Sequence, residues 1–314
     1  MADNRPFLGV VLMLGFCILI PVSDALAKIL GATLPVMLIV LVRVATQGLL
    51  LVPLSRAVER RFWPGRRHLG AIVLRTLLYI GGLSTMILAL RYLPLADAVA
   101  IAFVMPFIML ILGHWFLGEE VGARRIGACV VGFAGTLMVI QPSFQEVGAA
   151  ALLPLCVAVL FALFMLVTRH LSQAVKPIAM QALSGLIACA ILVPLLGLGT
   201  RLGWADLSFA PVTGAEAVML AGMALIGTVA HLLMTWSLKF APSATVAPMQ
   251  YLEIPFATAV GFLVFGDLPD GLAATGIVVT MAAGLYVILR ERRRPAPAPQ
   301  AEASPILRGD RPAP

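Results

Sequence analysis

Long apolar stretches, separated by short polar linkers, follow one another along almost the whole chain. A helix needs about 20 apolar residues to cross the roughly 30 Å hydrocarbon core of a bilayer. Lipid offers backbone groups no hydrogen-bond partner, so such segments must be helical. The stretches that are long enough are 7–30, 34–54, 69–90, 95–117, 125–141, 148–170, 177–198, 214–238, 243–265 and 271–290. The pattern predicts an all-α integral membrane protein with ten transmembrane helices.

The sequence of the fourth predicted helix returns, in altered form, in the ninth. Residues Arg91–Glu120 read RYLPLADAVAIAFVMPFIMLILGHWFLGEE, and residues Lys239–Pro269 read KFAPSATVAPMQYLEIPFATAVGFLVFGDLP. Pro94 of the first copy matches Pro242 of the second at a spacing of 148 residues. A period this long in a very apolar chain indicates a duplicated membrane unit rather than a solenoid repeat.

Each copy contains five predicted helices, and five is odd, so the second copy enters the membrane upside down relative to the first. We therefore predict two inverted five-helix repeats, residues 1–142 and 143–293, followed by a Pro/Ala-rich, disordered cytoplasmic tail over 294–314. Inverted repeats suit alternating access, in which a site at the membrane midplane faces one side and then the other.

The paired segments RYLPLADAVAIAF…GEE and KFAPSATVAPMQY…FGDLP, each followed by a glycine-spaced last helix, resemble the EamA family of the drug/metabolite transporter superfamily. The resemblance implies ten helices, a central cavity and secondary transport of a small organic metabolite that is amino-acid-, nucleotide- or vitamin-like. It leaves the substrate and the direction of transport open. Four-helix members of the superfamily work as dimers, so the duplicated chain is expected to be a monomer or a homodimer.

Composition and charge agree with a membrane location. The chain is 61% hydrophobic and 12% charged, whereas soluble domains carry about 25% charged residues. With the N-terminus inside, 15 Lys and Arg residues flank the inner helix ends, against three at the outer ends (Lys28, Arg91 and Arg201). Positive residues favour the cytoplasmic side. We predict a multi-pass inner-membrane protein with both termini cytoplasmic, and we interpret the net charge of +7 as orientation rather than nucleic-acid binding.

Glu253 lies in the middle of the ninth predicted helix, where an ionisable group is costly and needs a reason. Gln250 is three residues earlier and shares its helical face. The prolines predicted to break their helices at membrane depth, and so to line a cavity with freed backbone carbonyls, are Pro106, Pro248 and Pro255. We predict that Gln250, Tyr251 and Glu253 line the substrate path and that Glu253 binds a proton or a cationic group. The alternative is a protonated glutamic acid that serves packing alone.

Further residues predicted along this path are Asp24, Lys28, Arg43, His231, Tyr79 and Trp236. Asp24 and Lys28 lie four residues apart on one face, either as a packing ion pair or at the cavity mouth. Arg43 stays charged, so it needs a partner such as Asp24 or Glu253. His231 titrates near neutral pH or bonds a neighbouring helix. The aromatic pair either stacks on a flat solute or packs within the bundle.

Other polar and small residues have structural interpretations. Asp97 is placed to stabilise the start of the fourth helix, and Arg75 is close enough to the inner end of the third to extend its side chain to the surface. The cysteines expected as small buried residues are Cys17, Cys129, Cys156 and Cys189.

Motifs of ATP-driven pumps and common hydrolases are absent from the sequence, which contains no P-loop, HExxH, GxSxG or paired CxxC. We therefore predict no catalytic residue, metal site or cofactor, and partners restricted to a small-molecule substrate, protons and the lipid bilayer. A membrane-embedded enzyme would need a convergent constellation that these dispersed polar residues do not supply. A non-transporting scaffold or sensor would not need charges and prolines at mid-span.

Overall fold

The computed structural model describes residues 5–59, 65–118, 122–140, 148–266 and 271–292, and within these ranges it consists of helices joined by short turns, without β-strands. The α-helices of these ranges are α1 (Pro6–Gly31), α2 (Val36–Leu54), α3 (Arg66–Tyr92), α4 (Leu95–Ala102), α5 (Met105–Leu117), α6 (Ala123–Ile140), α7 (Leu152–Ser172), α8 (Pro177–Leu202), α9 (Gly214–Phe240), α10 (Ser243–Gln250), α11 (Glu253–Phe265) and α12 (Gly271–Arg292). A π-helical turn, Ser55–Glu59, extends α2, and short 3₁₀ turns lie at Gly148–Ala151 and Ala205–Leu207. The tail over 294–314 lies outside the described residues.

Six helices in the described part of the chain are long and apolar enough to cross a membrane: α1, α2 with its π-turn, α3, α7, α8 and α9. Large apolar side chains also face outward, with Leu49 77% exposed, Val218 74% and Leu263 79%. A surface this apolar suits lipid and would aggregate in water. The prediction of an all-helical, multi-pass membrane protein is confirmed at this level.

Two predicted helices are each broken into two. The span predicted over 95–117 is interrupted at residues 103–104, and the one predicted over 243–265 is interrupted at 251–252. Proline explains both positions because it has no backbone N–H to donate to the carbonyl four residues earlier. Pro106 is the second residue of α5, and Pro255 is the third residue of α11. The interruptions thus lie within the two predicted spans, a few residues before Pro106 and Pro255.

The helices pack in pairs that are related by exchange of the two halves of the chain. The pair α1 and α9 corresponds to the pair α7 and α3, while α2 packs on α8 and α6 packs on α12. The broken helices follow the same scheme, since α5 lies against α7 and α11 lies against α1. The two breaks thus meet near the centre of the bundle.

Small residues permit the closest of these contacts. A Cβ atom on Gly185 of α8 would lie 2.6 Å from the backbone nitrogen of Gly48 in α2, so any side chain there would force the two helices apart. The cysteines differ in their surroundings. Cys17 and Cys129 are buried and Cys189 is half-buried, but Cys156 is exposed on α7, which corrects the expectation that all four are buried.

Candidate functional site

A cavity of about 60 Å³ lies where helices from both halves of the chain meet. Its walls are mainly apolar and aromatic, and its polar residues are Asp24, His231 and Glu253. The remaining lining residues are Phe16, Ile20, Leu83, Met86, Val99, Ala102, Phe103, Met105, Val157, Phe161 and Met165. A buried water needs about 10–15 Å³ of such volume, so the cavity has room for about four waters and is too small for a metabolite in this conformation.

Glu253 owes its position to the break between α10 and α11. It is the first residue of α11, directly after the irregular residues 251–252, and it is 8% exposed. In the described part of the chain, no group hydrogen-bonds or ion-pairs with its carboxylate. A buried carboxylate without a partner is costly and is usually either protonated or awaiting a ligand. Glu253 is therefore available to bind a proton or a cation in the cavity.

Asp24, Arg43 and His231 come together beside the cavity from α1, α2 and α9. The Asp24 Oδ1 and Arg43 Nη1 atoms are 3.8 Å apart, which is an ion pair but not a hydrogen bond. Arg43 Nη2 lies 3.4 Å from His231 Nδ1, and the same Nδ1 lies 3.0 Å from the Gly227 carbonyl oxygen. One nitrogen cannot donate to the carbonyl and accept from the arginine at once, so the two contacts belong to different tautomers of His231.

Gly227 makes room for Arg43. A Cβ atom at this position would lie 2.6 Å from Arg43 Nε and 2.7 Å from Cζ, distances at which the guanidinium would have to move. Arg43 is 1% exposed, and its Nε and Nη1 atoms have no hydrogen-bond partner among the described residues. The glycine thus leaves room inside the bundle for the charged Arg43 side chain, although some of its N–H donors have no hydrogen-bond partner among the described residues.

Aromatic rings surround His231. The Tyr79 ring contacts it edge-on with centroids 4.8 Å apart, and the Phe16 ring does so at 5.6 Å. Tyr79 is in turn stacked on Phe164 at 5.2 Å. The Tyr79 hydroxyl has no hydrogen-bond partner among the described residues. His231 therefore lies between the cavity and a second, more polar layer of side chains.

Glutamines hold this polar layer together. Gln181 of α8 donates from Nε2 to the His231 carbonyl at 2.9 Å and to Thr235 Oγ1 at 2.8 Å. Gln47, one turn after Arg43 on α2, donates to the Gln181 carbonyl at 2.7 Å. The Gln47 bond joins the two halves of the chain, and sequence reasoning did not single out either glutamine.

Arg75 belongs to the same layer, and the prediction that its side chain reaches the membrane surface was wrong. It is fully buried, donating from Nε to Thr168 Oγ1 at 2.8 Å and from Nη1 to Ser184 Oγ at 2.7 Å. Its guanidinium lies over the Phe164 ring, 4.6 Å from the centroid. The hydroxyls of α7 and α8 supply acceptors inside the bundle, so the side chain has no need to extend outward.

Several residues predicted for the path do not line this cavity. Gln250 ends α10 and donates to Met165 Sδ at 2.8 Å, and Tyr251 packs on Phe103 with ring centroids 5.5 Å apart. Lys28 donates to the Leu93 carbonyl at 2.8 Å and does not pair with Asp24, so the expected ion pair was wrong. Trp236 packs in a small apolar cluster with Leu51.

Of the prolines expected at the cavity, Pro106 is buried and Pro255 half-buried, and each adjoins a lining residue, Met105 or Glu253, without lining the cavity itself. The side chains of Pro248 and Asp97 lie outside the described residues.

Two polar clusters, which we name by their central residues, tie the halves together at opposite ends of the bundle. In the Arg91 cluster, Arg91 Nη1 donates to Asp206 Oδ1 at 2.6 Å and Thr33 Oγ1 donates to Glu216 Oε1 at 2.6 Å. In the Glu59 cluster, the Glu59 carboxylate accepts from the Ala179 amide at 2.9 Å, at the N-terminus of α8. Lys176 Nζ also donates to the Glu59 carbonyl at 2.7 Å.

The described residues contain no group of three or more His, Cys, Asp or Glu side chains that could hold a metal ion. The titratable side chains of the cavity wall, Glu253, Asp24 and His231, can bind polar groups, compensate charge and exchange protons.

Comparison with known proteins agrees with this geometry. The sequence matches the EamA-like transporter family twice, over residues 7–141 and 148–290. It is 31% identical over 241 residues to a riboflavin transporter of Rhizobium johnstonii, an alignment covering 77% of this chain and 76% of that protein. It is 22% identical over 276 residues to an S-adenosylmethionine uptake transporter of Rickettsia felis, covering 86% and 89%. A pseudopaline exporter of Pseudomonas aeruginosa is 27% identical over 270 residues, covering 83% and 89%.

The fold is also that of a solved protein. One crystal structure superimposes with a TM-score of 0.70 at 16% sequence identity, covering 91% of this chain and 98% of the other. At this identity the likeness concerns the fold alone.

Proposed function

Because the chain belongs to the EamA-like transporter family, we propose that it is a secondary carrier that moves a small organic metabolite across the inner membrane by alternating access. The observation that carries the proposal is the position of Glu253, a carboxylate without a partner among the described residues, in a cavity where broken helices from both halves meet. Importers and an exporter occur among the relatives, so the direction of transport follows the solute and ion gradients rather than the fold.

The architecture we propose has ten membrane-spanning segments in two inverted repeats, residues 1–142 and 143–293, with both termini and the tail in the cytoplasm. Here α4 with α5 and α10 with α11 each form one broken span. The exchange-related helix pairing supports this arrangement, since the main contacts between the halves, such as α1 on α9 and α7 on α3, occur in corresponding pairs. The cavity then lies at the pseudo-symmetry axis, where a rocking motion can expose it to either side.

The Arg91 and Glu59 clusters are the contacts that such a motion must break, one at each end. Every hydrogen bond between the halves at the Arg91 end opposes opening on that side, and those at the Glu59 end oppose opening on the other. The chain as it stands is held at both ends around a small cavity. Binding of solute or proton shifts the balance by interacting differently with the two open states.

Glu253 is the proposed coupling residue, with His231 and Asp24 as the other titratable side chains in the cavity wall. Protonation would neutralise a buried charge and so lower the cost of moving it through the apolar bundle. Riboflavin and S-adenosylmethionine, the solutes that name two relatives, are the first substrates to test. A monomer suffices for this mechanism because both halves are in one chain, and a homodimer would place two such cavities side by side.

Counterflow in proteoliposomes tests the carrier. Vesicles preloaded with unlabelled riboflavin or S-adenosylmethionine should accelerate entry of the same labelled solute, which neither an enzyme nor a scaffold would do. Glu253→Gln should remove the pH dependence of exchange. The control is Thr258→Val on the same helix, because the Thr258 hydroxyl donates to its own backbone at Ile254. A solute that stabilises the purified protein yet shows no counterflow contradicts the proposal.

Cysteine labelling tests the topology separately. Cysteines at Arg66 and Trp204 lie in or beside the connections that follow α2 and α8. An impermeant thiol reagent should reach one from the cytoplasmic side and the other from the outside. Labelling of both from the same side would rule out inverted repeats.

A further inference from the structure

Arg75 carries a buried positive charge for which the described part of the chain offers no carboxylate. Its side chain is fully buried, two of its nitrogens donate to the neutral hydroxyls of Thr168 and Ser184, and Nη2 has no partner among the residues that the structure describes. An arginine remains charged in a protein. A buried charge without a counter-ion strongly destabilises a fold unless a ligand or solvent compensates for it.

Arg43 lies in the same neighbourhood. Arg43 Nη2 lies 3.4 Å from His231 Nδ1, and the Tyr79 ring contacts the same imidazole with centroids 4.8 Å apart. Tyr79 is one turn after Arg75 on α3 and stacks on Phe164, the ring that Arg75 also covers. The two arginines therefore flank one phenol, directly behind the His231 side chain that lines the cavity.

Unsatisfied donors are in excess in this cluster. The buried atoms without a partner among the described residues are Arg43 Nε and Nη1, Arg75 Nη2, Tyr79 Oη and His231 Nε2. The cluster contains two positively charged arginines and one acidic side chain, Asp24. Asp24 forms an ion pair with Arg43 at 3.8 Å. The unpartnered amide oxygens of Gln47 and Gln181 are neutral and cannot balance the charge. What the cluster lacks is one negative charge with several acceptor atoms.

We propose that Arg75, with Tyr79 and Arg43, forms an anion subsite that takes the carboxylate or phosphate group of the transported solute. The subsite rests on the proposed carrier function, because the rings of Phe16, Phe103 and Phe161 in the adjoining cavity would hold the apolar part of the same solute. The substrate class is thus an organic anion, or a zwitterion, with a flat apolar moiety. A planar arginine fork suits such an oxygen pair. Glu253 lines the cavity and not the subsite, so an anion bound behind His231 avoids its charge.

Thermal unfolding of the purified full-length protein tests the subsite with three probes of equal size. Benzoate carries a ring and a carboxylate, benzyl alcohol replaces the carboxylate with a neutral group, and benzylamine replaces it with a cation. At constant ionic strength, benzoate at about five times its Kd should raise the midpoint by roughly 1–2 °C. The alcohol and the amine should leave it within error.

Variants assign that response to the subsite. Arg75→Gln should abolish the benzoate shift, and Tyr79→Phe, which keeps the ring and its packing, should weaken benzoate binding several-fold. Arg201→Gln is the control because it removes the same charge from an exposed position at the end of α8. If Arg75→Gln does not fold, the benzoate-induced shift of Tyr79→Phe is compared with that of the native protein, and a weaker shift in the variant supports the subsite.

Two results would overturn the subsite: no saturable benzoate shift up to tens of millimolar in the native protein, or an undiminished shift in the available subsite variants. These outcomes are distinct from failure of the carrier proposal. Counterflow without any anion response leaves the carrier and removes the subsite. An Arg75-dependent benzoate shift without counterflow supports the subsite and contradicts the carrier proposal.

Discussion

The Arg43 guanidinium occupies the space that a side chain on Gly227 would need: a Cβ atom there would lie 2.6 Å from Nε. The absence of one methyl group on α9 therefore determines whether a charged residue of α2 can lie beside His231 and Asp24. A glycine in the middle of a helix otherwise lowers stability by up to about 1 kcal/mol relative to alanine.

Gly227→Ala should displace Arg43 and weaken transport. Overpacking in a filled core costs about 1–3 kcal/mol, more than the helix gains from alanine. The thermal midpoint should fall and the rate of counterflow should fall with it. Gly222→Ala on the same helix is the control, because its Cβ atom would meet its nearest neighbour, Leu26 Cδ1, at an ordinary 3.9 Å. Equal midpoints for the two variants would show that Arg43 moves without cost.

Gly185→Ala should separate α2 from α8. The new Cβ atom would lie 2.6 Å from the backbone nitrogen of Gly48, and two backbones cannot relax as a side chain can. We expect a loss of about 1–3 kcal/mol, seen as a lower thermal midpoint and a lower yield of folded protein. Gly197→Ala, further along the same helix and with nothing within 4 Å, should be neutral or slightly stabilising. A stable Gly185→Ala protein would contradict the close approach.

Asp206→Asn should favour opening at the Arg91 end. The Arg91–Asp206 pair is partly exposed, at 24% and 47% of the two side chains, and such pairs contribute about 0.2–1 kcal/mol. The population open at that end should thus rise by up to about five-fold. A cysteine at Leu83 in the cavity wall, in a background without the native cysteines, should react faster with an impermeant reagent added from that side.

The control for this variant is Ser208→Ala, because the Ser208 hydroxyl donates within the same linker, to the Ala205 carbonyl. If the rate of labelling rises from the opposite side, or does not change, the Arg91 cluster does not hold the halves together.

Glu59→Gln should favour opening at the Glu59 end and so make the cavity accessible from the side opposite to the Arg91 cluster. The Glu59 carboxylate accepts hydrogen bonds from the backbone amides of Ile178 and Ala179 at 3.3 and 2.9 Å. Its negative charge also stabilises the N-terminus of α8. Removing such a cap costs about 0.5–2 kcal/mol. Labelling of the cysteine at Leu83 should then increase from the Glu59 end.

Glu59→Asp tests whether the charge or the length of the side chain matters at the Glu59 end of the bundle. It keeps the charge but shortens the side chain, so it should resemble Glu59→Gln if the hydrogen bonds matter and the native protein if charge alone does. Native-like labelling for both variants would exclude Glu59 from the closure of this end.

The apolar pattern was sufficient to predict apolar helices and a membrane location, because crossing lipid imposes a length and a composition that leave few alternatives. Repetition of the Pro94 segment at Pro242 indicated the duplication in the same direct way. The chain also contained the signal for the two helix breaks, in Pro106 and Pro255, although not the residue at which each helix ends. The family match confirms the resemblance read from these segments.

What the sequence by itself determined about this protein is its set of apolar helices, its duplication and the polar residues that cannot face lipid. The tertiary structure alone decided their partners: Asp24 pairs with Arg43 and not with Lys28, Arg75 turns inward to hydroxyls of α7 and α8, and Gln250 lies off the cavity that Glu253 lines. The reason is that hydrophobic periodicity fixes which face of a helix is buried but not its neighbour. Charged side chains find counter-ions across distances in sequence that no local pattern records.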